Sequence, residues 1–241
     1  MSTARFVLIR KQLSMAPGPW SHLRTLLIAC AWASAAGSGM AQSAGHWMLK
    51  GGFNGSAPQV KGSDLSPPSL PGSQLDVKSA NSVIASAVYM LTDNVSVETT
   101  VGLPYQHDVV GAGALAGVGK LGSVKQVSPT IFAQYRFRAA DAALRPYVGV
   151  GLTYARFYGE EGSGALTALT RPGGPPTRLS AESAFGVAVQ GGVTIRLDGP
   201  WTLDATIGKT FLKNSIRLST GQKVDTRLDP VSTGLAIGYQ F

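Results

Sequence analysis

The sequence predicts an all-β fold: an eight-stranded antiparallel transmembrane β-barrel with long extracellular loops and short periplasmic turns. Three observations carry this. Eight segments alternate apolar with small or polar residues at a period of two, the signature of strands. Their connections alternate long and short, as in outer-membrane barrels; a soluble sandwich has no reason to do so. Aromatic residues fall at both ends of the segments, on the apolar face.

Residues 1–41 read as a signal peptide. Arg5, Arg10, Lys11 and Arg24 form a positive start, Leu26 to Ala36 is apolar, and Gly39-Met40-Ala41 offers small residues for cleavage before Gln42. A lipoprotein cleavage at Cys30 is rejected, because only five residues separate it from Arg24. The barrel is expected over 42–241. Losing residues 1–41 removes four basic and no acidic residues, so the formal charge falls from +8 to +4. The basic balance is then partly a targeting feature and argues for no nucleic-acid partner. Cys30, the single cysteine, also leaves, which excludes disulfide and thiol chemistry. Only 14% of residues are charged, and no run of 18 apolar residues offers a spanning helix.

The first strand begins at His46, where Trp47, Leu49, Gly51 and Phe53 alternate with Met48, Lys50, Gly52 and Asn54. Ala57 to Leu75 is rich in Pro, Gly and Ser and is expected to be a loop. Asn81 to Leu91 is the second strand. Thr92-Asp93-Asn94 then turns tightly, since Asp and Asn tolerate a left-handed backbone. Val95 to Tyr105 is the third strand, and Gln106 to Lys125 reads as a Gly-rich loop. Gln126 to Arg138 is the fourth strand and Pro146 to Tyr158 the fifth. Gly159 to Ala181, with three prolines, is a long loop. Glu182 to Arg196 and Trp201 to Lys213 follow, joined by Asp198-Gly199-Pro200. Asn214 to Leu228 reads as a polar loop. The closing strand is Asp229 to Phe241. Its apolar face, Val231, Thr233, Leu235, Ile237, Tyr239 and Phe241, taken alone would suit a soluble core or lipid.

The aromatics favour lipid. Trp47, Tyr89, Tyr135, Phe137, Trp201, Tyr239 and Phe241 sit at the expected periplasmic ends. Phe53, Tyr105, Tyr158, Phe185 and Phe211 sit at the opposite ends, all on the face read as outward. These are two girdles. Trp201 and Phe211 lie roughly 33 Å apart along a strand. A tilt of about 40° reduces that to about 25 Å, the height of the apolar band of such barrels.

Five stretches resemble the outer-membrane protein W (OmpW) family of small barrels. They are Thr92-Asp93-Asn94-Val95-Ser96-Val97-Glu98, Leu103-Pro104-Tyr105-Gln106-His107, Ser128 to Tyr135, Leu144 to Gly151, and Leu228-Asp229-Pro230 with Gly238-Tyr239-Gln240-Phe241. Each motif alone is weak; their order and spacing along Trp47 to Phe241 are specific. The loops at 57–75 and 159–181 depart from the family pattern. The resemblance implies a bacterial outer-membrane location and passage of small hydrophobic molecules. It also implies an alternative, a structural barrel or a receptor for a bacteriocin or phage. Lipid, hydrophobic solutes and the barrel-insertion machinery are the expected partners.

Residues for catalysis are scarce. The expected mature chain holds only His46 and His107, placed by this topology at opposite membrane faces, so no shared catalytic site and no enzyme is expected. Without cysteine, and with two histidines, no metal spacing exists. Gly111 to Gly122 lacks the ending and the helix of a phosphate loop. No cofactor is expected.

The lumen carries the remaining expectations. Glu98, Arg136, Arg196 and Asp204 point inward by parity near the periplasmic ends. Glu98 with Arg136, and Arg196 with Asp204, lie on neighbouring strands and should pair as an ionic plug, because unpaired charge in a narrow lumen is costly. Proline lacks the N–H of the ladder. Pro104 ends the third strand and Pro129 starts the fourth, which predicts a weak seam and a lateral exit. Phe132, Met48 and Leu212 are expected to line an apolar path toward it.

Overall fold

The computed structural model describes residues 42–67 and 69–241. The signal peptide expected over residues 1–41 lies outside them. The chain runs through β1 (Trp47–Ala57), β2 (Lys61–Gly62), β3 (Ser73–Val77), β4 (Ala80–Met90), β5 (Val95–Gly102) and β6 (Tyr105–Gly113). It continues through β7 (Lys120–Val127), β8 (Thr130–Arg136), β9 (Leu144–Gly162), a short helix α1 (Gly164–Thr170) and β10 (Leu179–Ala181). The last elements are β11 (Ala184–Arg196), β12 (Trp201–Phe211), β13 (Lys213–Leu218), β14 (Lys223–Arg227) and β15 (Val231–Gln240).

Eight of these strands close a ring in the order β11-β12-β15-β1-β4-β5-β8-β9, and β9 pairs back onto β11. Every pairing is antiparallel. Closure satisfies the backbone without an exposed edge, which a lipid environment demands. Outward positions are large and apolar, with Phe53 70% and Phe185 79% exposed. Water would not tolerate a belt of this size; hydrocarbon does.

The periplasmic turns are short. Thr92 Oγ1 accepts from the backbone N–H of Asn94 and Val95 at 3.2 and 2.9 Å, pinning the turn after β4. Gly199, at φ 63°, makes the turn into β12.

The opposite end differs from expectation. The segments read as loops are largely folded. Gln106 to Lys125 is the hairpin β6–β7, and Asn214 to Leu228 contains the hairpin β13–β14. Residues 159–181 hold the end of β9, α1 and β10. β3, β6 and β7 extend one sheet upward onto the long β9. β10, β13, β14 and β2 form a second sheet. Inward Leu75, Val109, Val124 and Phe157 from the first meet Leu179, Ile216, Leu218 and Val224 from the second in one apolar core. These hairpins alternate as barrel strands do: Asn214, Ile216 and Leu218 are buried, while Lys213 and Arg217 are exposed. Burial of that face outweighs the loop-like glycines and polar residues around it.

Candidate functional site

The lumen has a floor, a middle cavity and an upper chamber. The floor is built on Lys50 of β1. Its Nζ lies 2.6 Å from Glu98 Oε1 and 3.2 Å from Asp204 Oδ1, and all three side chains are almost wholly buried. Asp204 also accepts from Tyr147 Oη at 2.9 Å and Thr194 Oγ1 at 2.7 Å. Gln134 Nε2 donates to Glu98. Tyr147 crosses toward Asp204 over Gly192, where a Cβ would stand 2.5 Å from the ring.

Sequence reasoning placed the charges on the right face but chose the wrong partners. Arg136 does not pair with Glu98. It donates to Ser96 Oγ, Gln42 Oε1, Thr194 Oγ1 and Gln134 Oε1, and stacks on Tyr147 at 4.8 Å. Arg196 does not pair with Asp204: the register sets it opposite Thr202, while Thr194 faces Asp204. Lys50 was missed as a partner. It sits two strands from both carboxylates, β1-β4-β5 on one side and β1-β15-β12 on the other. Its inward parity was visible in the sequence, but neighbouring-strand reasoning cannot see a contact across a narrow lumen.

Above the floor, the middle cavity is lined by Lys50, Glu98 and Asp204 below, Phe132 at mid-height, and Tyr105, Gln126 and Leu212 near the rim. Met48 is not on this path. It is buried beneath Lys50, toward the periplasm, where Thr202 Oγ1 approaches its sulfur at 3.5 Å. Tyr105 is not a girdle residue either. It is buried, stacks on His107, and accepts from Asn54 Nδ2 at 2.6 Å. β5 ends at Gly102, and the break at Leu103-Pro104 resets the parity, so Tyr105 begins a new strand facing inward. The other eleven girdle positions of the expected set are exposed or half-buried. Trp47 packs on Tyr89, Trp201 on Tyr239, and Tyr154 on Phe185.

The wall beside the cavity is discontinuous. β5 and β8 pair from Val95↔Tyr135 up to Thr100↔Thr130, and pairing resumes only at Tyr105↔Gln126. Between these levels the backbone bonds point away from the seam. Leu103 N–H donates to Val83 O, and Ser82 Oγ donates to Leu103 O, both on β4. Pro129 O accepts from Tyr154 N–H on β9. Gly102, Leu103, Ser128 and Thr130 line the cavity here.

The upper chamber lies between the two extracellular sheets. Val77, Val109, Phe157, Leu179 and Ile216 line it, and it shares Gln126 and Pro230 with the cavity below. His107 and Asn214 also line it. Burial holds the His107 imidazole below its ordinary range, and the bond to Lys78 O opposes that only in part. His46 stands before β1 at the periplasmic end, far along the chain's path from His107 in the upper sheet. Among the described residues no group of three or more His, Cys, Asp or Glu could hold a metal.

Comparison with known proteins agrees with this architecture. The model of the OmpW family matches residues 43–241. Outer membrane protein W of Vibrio cholerae serotype O1 is 30% identical, over 70% of this chain and 77% of its own length. The dibenzothiophene metabolism operon protein PahQ of Pseudomonas aeruginosa is 27% identical, over 71% and 77%. The crystal structure of the outer membrane protein OprG from Pseudomonas aeruginosa superposes with a TM-score of 0.73 at 26% identity, covering 83% of this chain and 98% of OprG.

Proposed function

The chain belongs to the OmpW family of outer-membrane proteins, and on that premise we propose that it takes up small hydrophobic molecules and releases them sideways into the bilayer. The observation that carries the reading is the unpaired stretch of wall between Thr100/Thr130 and Tyr105/Gln126, opening beside a cavity whose floor is charged. An apolar solute in that cavity meets Lys50, Glu98 and Asp204 below and hydrocarbon beside it. Passing sideways keeps it out of water, whereas the floor would have to be opened and desolvated. Pro104 and Pro129 supply no donors to that wall. Phe132 and Leu212 line the cavity along the route. PahQ bears a name that links it to the metabolism of a fused aromatic, which is the class of solute this route suits. The reading takes the chain as a non-catalytic barrel; the placement of His46 and His107 at opposite ends supports that.

The test uses cysteines at Leu103 and Ser128. The only natural cysteine is Cys30, so a single pairing is available in the barrel. Uptake of a fused aromatic hydrocarbon by cells carrying the oxidised variant should fall several-fold and return on reduction. Undiminished uptake with the disulfide formed would remove the lateral exit and leave the receptor role.

A further inference from the structure

The outer face of the second extracellular sheet carries a row of like charge. Lys61 of β2 stands opposite Arg227 of β14, and Arg227 stands opposite Lys213 of β13. Directly opposite residues of an antiparallel pair share a face, so the three cations lie side by side across three strands, a width of roughly 10 Å. All three are exposed. None has a hydrogen-bond or carboxylate partner among the described residues. The two carboxylates on this face are engaged farther from the barrel: Glu182 Oε1 lies 2.9 Å from Arg217 Nε, and Asp225 Oδ1 lies 3.0 Å from Lys223 Nζ. Like charges set directly opposite repel, and the fold gives this row nothing to offset the repulsion.

The level of the row is set by the barrel beneath it. β13 continues β12 past Phe211, so Lys213 stands two residues beyond the outer girdle on the same exposed face. Two residues of a strand tilted at about 40° rise about 5 Å. Val187 of β11 stands opposite Phe211, and two residues farther out on β11 is Phe185, 79% exposed. Two residues below Phe211, Lys209 reaches up the strand until its Nζ is 5.7 Å from the centre of the Phe211 ring. A lysine on a lipid-facing strand extends its ammonium toward the polar boundary. That boundary therefore lies at the level of Phe211, and the row stands where hydrocarbon gives way to headgroups. Lys61, Lys213 and Arg227 line an open groove of about 420 Å³ there.

We infer that this face docks a phosphorylated glycolipid of the outer leaflet, with its phosphates on Lys61, Arg227 and Lys213 and its acyl chains along Phe185 and Phe211. A basic cluster beside a membrane surface attracts anionic lipid. Arg227 offers a planar fork to two phosphate oxygens, and the lysines on either side supply point charges. A headgroup with more than one phosphate meets the width of the row. An uncharged headgroup would leave the repulsion in place, and a free anion would leave the phenyl rings below without an occupant. Docking of this lipid needs no lateral exit, so it stands apart from the uptake reading.

The experiment titrates lipid onto the full barrel in detergent micelles and reads bound species by native mass spectrometry. The probes are bisphosphorylated lipid A and the same lipid with both phosphates removed. Wild type should retain the phosphorylated lipid far more tightly. Lys213→Gln with Arg227→Gln, shown to be folded by heat-modifiable migration, should weaken its binding roughly thirtyfold and leave the dephosphorylated lipid unaffected. Arg171→Gln with Arg178→Gln removes the same charge elsewhere, since Arg178 O accepts from Ser219 N–H at the far end of β13. That protein should bind as wild type does. Equal retention of the two lipids by wild type, or equal weakening in both double variants, overturns the inference. Displacement of lipid A by millimolar inorganic phosphate would make the row a free-anion site and overturns the glycolipid as its occupant. Dimers of wild type that vanish in Lys213→Gln with Arg227→Gln, with lipid binding unchanged, would assign the face to a second copy and overturn it too.

Discussion

The floor and the upper chamber are made from the same alternation of strand residues, yet they treat polar atoms in opposite ways. On the floor, Lys50, Glu98 and Asp204 are buried and each charge has a partner within 3.2 Å. In the chamber, aliphatic and aromatic walls surround two acceptors without a partner among the described residues, His107 Nε2 and Asn214 Oδ1; Nδ1 and Nδ2 of the same side chains donate to Lys78 O and Glu182 O. A buried network that is satisfied rigidifies; buried acceptors left without a protein partner carry a cost instead. Under the proposed uptake, the same difference would sort solutes: apolar molecules reach a charged floor, and the unpaired wall between β5 and β8 is their alternative to it.

The contrast is broken most severely at Lys50. Lys50→Met removes the cation that Glu98 and Asp204 share in a narrow lumen. Removing one partner of a buried ion cluster costs about 3–5 kcal/mol. Urea unfolding in detergent, followed by heat-modifiable migration, should show a loss of that order, and adding Glu98→Gln and Asp204→Asn should recover most of it. A single variant as stable as wild type would mean that the cluster does not hold the floor. The converse change, Glu98→Ala with Asp204→Ala, leaves Lys50 and Arg136 as uncompensated positive charge. Single-channel recordings should then show a higher conductance with a preference for anions. Unchanged conductance in a folded double variant would count against a closed floor.

Leu121→Ala sharpens the comparison from the side of the chamber. Leu121 is fully buried in the extracellular core. Truncating a buried leucine costs about 3 kcal/mol where the site cannot collapse. The expected result is local: hydrogen exchange in β6 and β7 accelerates while the ring strands keep their protection. Equal acceleration in β1 and β15 would show that the two regions unfold as one unit.

How much of each region could be read from residues follows the same divide. In the ring, a period of two and lipid outside fix which side chains face in, so Glu98, Arg136, Arg196 and Asp204 were all placed inward, while Lys50, which shares the parity of Met48, was not singled out. Their partners were not legible, because contact across a lumen depends on how the ring closes, and Lys50 reaches strands two removed from its own. Tyr105 was misplaced because Leu103-Pro104 interrupts the strand, and parity does not survive an interruption. The upper sheets were hidden by their composition. Gly111, Gly113, Gly117, Gly119 and Gly122 make β6–β7 look like a loop. The signal that could have found the second sheet was present in Ile216 and Leu218 before Gly221 and in Val224, Thr226 and Leu228 after it, spaced by twos on each side of the turn, where Gly221 has φ 96°. The two free acceptors carried no sequence signal, since a histidine and an asparagine are left unsatisfied only once packing removes water.

The smallest expected effect concerns pH, and it separates the two regions without altering a wall. His107 is buried in the upper sheets, and burial disfavours its charged form, so its folded pKa lies below that of a free histidine. The unfolded imidazole takes up a proton first as pH falls. Below about 6.5 the unfolded state therefore binds more protons than the folded one, and stability declines with falling pH until the folded value is passed. Above that range both forms are neutral and the contribution is flat. Hydrogen exchange of β6 and β7 should thus quicken between pH 7.5 and pH 5, beyond the intrinsic change in exchange rate. His107→Gln keeps a polar side chain in place but does not titrate, and should remove the extra acceleration. Asp225 of β14 does not supply this behaviour: it is exposed and held below its ordinary range by Ser215 and Lys223, so it stays charged throughout that interval. If β6 and β7 in the His107→Gln protein quicken as much as in wild type, the imidazole is not what couples the chamber to pH, and its neutral, accepting form would lose its support in solution.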